Sequence, residues 1–157
     1  MIYGTLLALH NVTRWLVLLF GAWALLRLLG GWASNRDWTT TDRASMRWFA
    51  LILSLQFVFG AALYFLPGSL VQSTLGGLSM GEIMGARILR FFTVEHPLQM
   101  LIAIGVSHTA NMVVRRIGSD RRRFRVGTLL IGLAMLLIVT AIPWPFLSHG
   151  RPLYRLP

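Results

Sequence analysis

An all-α integral membrane fold, an up-down four-helix bundle with both termini outside, follows from three features of this chain. Of its 157 residues 55% are hydrophobic, and the mean hydropathy is +0.64, which is too apolar for an ordinary soluble domain of this length. Four apolar runs, near Thr5–Leu29, Arg47–Leu66, Phe91–Val114 and Val126–Trp144, are each long enough to cross about 30 Å of hydrocarbon at roughly 20 residues per span. The arginines are placed asymmetrically. Arg36, Arg43 and Arg47 lie in or beside the first connection, while Arg115, Arg116, Arg121, Arg122, Arg123 and Arg125 crowd the third against one acidic residue, Asp120. The second connection is nearly balanced, with Glu82 and Glu95 against Arg87 and Arg90. This bias assigns the first and third connections to the cytoplasm. The expectation is therefore one transmembrane domain, residues 1–157, in a bacterial inner membrane, with no internal repeat and no separate soluble domain.

The first run lacks the basic n-region of a secretory signal and is longer than a signal's apolar core, so it reads as an uncleaved helix. It is expected to end near Gly30-Gly31, with Thr41 or Asp42 capping the second helix after a short polar turn. The second helix stops at Pro67-Gly68. In the connection that follows, Met80, Ile83, Met84, Arg87, Ile88 and Phe91 have helical spacing and predict a short helix, 80–91, at the outer membrane surface. Its glycines do not form a phosphate-binding loop, because the pattern G-x-x-x-x-G-K-[ST] is absent. The fourth helix ends at "IPWPF", where two prolines break it and Trp144 suits the interfacial belt.

Net charge of +10 marks topology and anionic headgroups of the lipid bilayer rather than a nucleic-acid partner. The chain contains no cysteine, which excludes disulfides, thiolate metal sites, cysteine-ligated iron–sulfur clusters and covalent haem attachment through C-x-x-C-H. Any cofactor must be held by histidine, carboxylate or noncovalent contacts.

His10 and His96 each lie about five residues into their helices from the same side, so both sit roughly 7 Å below one boundary. Helices one and three are diagonal partners in an up-down bundle, and a diagonal of roughly 14 Å leaves room for two inward imidazoles with one metal between them. The stripes His10, Arg14, Val17, Gly21 and His96, Gln99, Ala103, Ser107 carry small residues after each histidine, and Gly60 on helix two offers a further gap. Arg14 is placed to pair with a propionate, or with Glu95 as a structural ion pair; Glu95 is also in reach of Arg87 or Arg90. His108, twelve residues after His96, lies some 18 Å deeper and cannot share that site. With Ser107, Asn111 and Arg115 it forms either a quinone or proton-handling pocket or a set of interhelical hydrogen bonds. Gln56 reads as interhelical glue and His149 as a solvated tail residue.

The stretches "LHNVTRW", "LQFVFGAALYF", "EHPLQMLIAIGVSH" and "IPWPF", in this order over four helices, resemble a group of small bacterial membrane proteins labelled cytochrome-b-like. The resemblance covers nearly the whole chain. It implies a noncovalent haem b held by His10 and His96 with Arg14 beside it. The chain departs from the two-haem cytochromes b, which carry paired histidines on each of two helices. Three expectations stand side by side: a haem protein or subunit passing electrons between the quinone pool and a protein partner or larger membrane complex; a cofactor-free scaffold or accessory subunit of such a complex; and a Cu or Zn site built from His10, Glu95, His96 and His149.

Overall fold

Four helices in the computed structural model, which describes residues 2–152, are long and apolar enough to cross a membrane. They are α1 (Ile2–Ser34), α2 (Thr40–Phe65), a continuous helix Arg87–Arg116, and the last helix (Asp120–Ala141). Between the second and third run two short helices, α3 (Leu70–Gly77) and α4 (Met80–Gly85). The third span comprises α5 (Arg87–Arg90), a π turn (Phe91–Glu95) and α6 (His96–Arg116), and the last helix is α7. Among the described residues there is no strand.

Both α1 and α6 pack on α2 and on α7, so α1 and α6 stand across one diagonal, as an up-down bundle requires. The helices approach closely where small residues meet: Ala24, Ala103, Ala110 and Ala134 are wholly buried among Val17, Leu28, Phe49, Leu53 and Ile131. Leucines at 19, 26, 129 and 136 point outward and stay exposed, as suits a lipid-facing surface. One end of the bundle carries the start of α1 and the end of α7; the other carries the short loops 35–39 and 117–119.

Helix ends differ from the sequence expectation because caps, not hydropathy, set them. Helix α1 continues past Gly30-Gly31 to Ser34, and Asn35 stops it in the left-handed region at φ 51°. Gly31 is a packing notch instead: a Cβ there would overlap the Phe124 ring of α7. Helix α2 starts at Thr40, with Thr39 as the cap and Asp42 closing the capping box, so neither Thr41 nor Asp42 is the cap. The expected surface helix 80–91 is divided, because Ala86 is extended (φ −96°, ψ 106°) and the residues after it belong to the third span. Helix α3 was not expected; Ser69 caps it, and Val71 and Thr74 are its buried contacts. Ser79 and Glu82 form a second capping box, and the Ser79 donors hold the Glu82 carboxyl below its usual range.

Candidate functional site

His96 owes its position to Pro97. A proline has no N–H, so the helix cannot bond back from position 97 to the carbonyl of Thr93. The chain adopts a π turn over Phe91–Glu95, and the Tyr64 hydroxyl from α2 donates to the released Thr93 carbonyl at 3.2 Å. In the wider turn Glu95, five residues after Arg90, comes 2.6 Å from it, an exposed pair at the helix entrance. His10 and His96 then meet across the diagonal, with ring centres 6.3 Å apart and planes at 70°.

Hydrogen bonds fix both rings. His96 Nδ1 lies 2.8 Å from the Ala141 carbonyl, which can only accept, so Nδ1 carries the proton and Nε2 holds a lone pair. On the other ring, the Gln56 amide nitrogen donates to the His10 carbonyl at 3.0 Å and lies 3.1 Å from His10 Nε2. Gln56 Oε1 faces the Thr13 hydroxyl, which is also 2.8 Å from the Leu9 carbonyl. Each imidazole is left with one nitrogen outside this network among the described residues: His10 Nδ1, which is buried, and His96 Nε2.

Arg14, 8% exposed, lies over the Trp15 ring at 5.5 Å and within electrostatic range of both imidazoles. Gly60 of α2 faces His10, where a Cβ would stand 3.3 Å from Cε1. On the far side Phe91 lies 5.8 Å from the His96 ring and stacks on His149 at 3.8 Å. His149 is therefore packed rather than solvated, with both ring nitrogens buried and without a hydrogen-bond partner among the described residues. Successive turns after Pro143, closed by Leu147 N–H to Trp144 O and Gly150 N–H to Leu147 O, fold the segment back over the bundle end. Periodicity alone could not show this, because the segment is not helical.

The other expected site residues separate. Gln99 turns to α7 and donates to Thr140 at 2.6 Å. His108, Asn111 and Arg115 line a cleft of about 400 Å³ between α2 and α6 at the loop end. Ser107 does not: it is wholly buried on the core side of α6. His108 Nε2 lies 3.0 Å from Ser54 Oγ, and Asn111 donates to the Met46 carbonyl at 3.2 Å, so both tie α6 to α2. Among the described residues no three His, Asp or Glu side chains converge to hold a metal. The Cu or Zn set is thus not assembled; Glu95 is spent on Arg90 and His149 on Phe91.

A polar cluster at the loop end escaped the sequence reading. Asp42, wholly buried, accepts from Arg27 at 2.8 Å and Arg36 at 2.6 Å, and from Thr39. The carboxylate raises the Arg36 guanidinium above its ordinary value. The available signal was the T-x-x-D spacing of Thr39 and Asp42. No family model, curated protein or solved structure matches the chain. The cytochrome-b-like resemblance thus rests on its four quoted stretches.

Proposed function

We propose that His10 and His96 hold a noncovalent b-type haem, and that the protein passes single electrons between the membrane quinone pool and a protein partner. The observation that carries this reading is the 6.3 Å between the ring centres. Two imidazoles bound to opposite sides of one ion, at about 2.0–2.1 Å per metal–nitrogen bond, have centres roughly 6 Å apart. The surrounding residues fit on three further counts. His96 presents a lone pair at Nε2 while Ala141 fixes its other nitrogen, the usual arrangement of a ligating histidine. The Gln56 amide donor leaves the lone pair of His10 on Nε2, the nitrogen a metal would take, and Gly60 leaves the space beside that ring free of a side chain. Arg14 brings a cation to the pair, suited to a propionate.

When bound, the haem supplies a one-electron couple whose potential depends on its two imidazole ligands and nearby charge. The chain's own residues orient and insulate. Ala141 fixes the His96 tautomer, Phe91, itself stacked on His149, lies against that ring, and Gln56 holds His10 through Nε2. Gln56 thereby competes with iron for that nitrogen. The arginine-rich loop end is assigned to the cytoplasm, which places the histidine pair toward the outer side of a bacterial inner membrane.

The purified protein, produced with ample haem, is expected to show a Soret band and a dithionite-reduced α band. His10→Ala and His96→Ala should each abolish them. Their absence from the wild-type protein overturns the reading. A second reading, a cofactor-free scaffold or accessory subunit of a larger complex, is favoured by the bonds that already join helices here: Gln56 to α1 and His96 to α7. It predicts that the same two substitutions alter assembly with no spectral consequence.

A further inference from the structure

The cleft between α2 and α6 contains an unusual concentration of uncompensated charge. Arg43 and Arg47 come from the first two turns of α2, Arg115 from the last turn of α6 and Arg123 from the start of α7. Arg123 is occupied by Asp120 at 2.8 Å and the Ile117 carbonyl at 2.7 Å. The side chains of Arg43, Arg47 and Arg115 make no hydrogen bond or ion pair among the described residues, and no acidic side chain lines the cleft. Of the carboxylates at this end, Asp42 is committed to Arg27 and Arg36 and Asp120 to Arg123 and the Trp38 amide, while Asp37 is exposed on the loop and does not line the cleft. Below this rim the wall becomes apolar, through Ala50 and Leu51, down to the His108–Ser54 bond seven residues, or about 10 Å, inward from Arg115.

We infer that this cleft is a headgroup site for an anionic phospholipid of the leaflet at the loop end. Three guanidiniums at the helix ends match a phosphodiester at headgroup depth, and the apolar wall beneath matches the start of an acyl chain. A neutral quinone would leave the three cations uncompensated. A small soluble anion would make no use of the apolar wall. The inference is independent of the haem reading, because the cleft lies at the opposite end of the bundle from His10 and His96.

The test is native mass spectrometry of the full-length protein in detergent, with phosphatidylglycerol or phosphatidylcholine of identical acyl chains added. Retention of phosphatidylglycerol over phosphatidylcholine is expected at about tenfold or more. The double substitution R47Q/R115Q should bring it down to the phosphatidylcholine level. R116Q removes the same kind of charge from a neighbouring residue outside the cleft and should leave retention unchanged. Equal retention of the two lipids by the wild-type protein overturns the inference without reliance on any variant. So does an equal loss in R116Q, which would mean bulk charge alone, or displacement of the lipid by decylubiquinone or by millimolar inorganic phosphate.

Discussion

His10 is held from several sides, and the least conspicuous contact is a missing side chain. Gln56 binds Nε2, His96 stands across the diagonal, and Gly60 leaves a notch that a single added carbon would reduce to 3.3 Å from the ring. Alanine at 60 needs only a few tenths of an ångström of adjustment. Leucine adds three more carbons and must displace the imidazole. Gly60→Leu is expected to cost about 1–3 kcal/mol, the usual range for overpacking, read from unfolding followed by circular dichroism in detergent. It should also remove the His10-dependent Soret absorbance. Gly105→Leu is the control: nothing lies within 4 Å of a Cβ built there, so neither reading should change. A Gly60→Leu protein with full absorbance would show that His10 is not the ligand.

At the level of elements, the π turn makes Tyr64 and Pro97 a coupled pair. Thr93 is buried, and its carbonyl depends on the Tyr64 hydroxyl because Pro97 has no N–H to offer. Tyr64→Phe should therefore cost about 1–3 kcal/mol, the penalty for an orphaned buried acceptor. Pro97→Ala restores a local donor, so in that background the same substitution should cost much less. Unfolding free energies of the four proteins form the cycle, and additive effects would show that proline is not the cause of the turn. The sequence makes the four spans legible because lipid demands long apolar runs, but it shows their ends poorly. The caps Thr39, Ser69 and Ser79 are polar residues in polar surroundings, invisible to hydropathy. The π turn was equally hidden, since Tyr64 lies far from Thr93 in sequence. Equal depths of His10 and His96 could be counted from helix starts, which is why their meeting was foreseeable. Ser107 and His149 were misplaced for other reasons: one step of helix rotation separates the core from the cleft, and proline turns fold the tail back.

The whole molecule is polarised, and its two ends make opposite demands on the membrane. At the terminal end Arg14, His10 and His96 lie inside the bundle, while Arg90 and Glu95 compensate each other at its surface. At the loop end, arginines outnumber the available carboxylates even after Asp42 and Asp120 are paired. Moving that surplus across a membrane is opposed by both the hydrocarbon barrier and the potential, so the loops should remain on the cytoplasmic side. The chain has no cysteine, which makes this directly measurable with single introduced thiols. Ser148 is exposed at the terminal end and Ser119 at the loop end. In intact cells a membrane-impermeant maleimide should label Ser148→Cys promptly and Ser119→Cys only after permeabilisation. The reverse pattern would place the arginine-lined cleft on the outer leaflet and the histidine pair on the cytoplasmic side, and would exchange the compartments from which each end meets its partners.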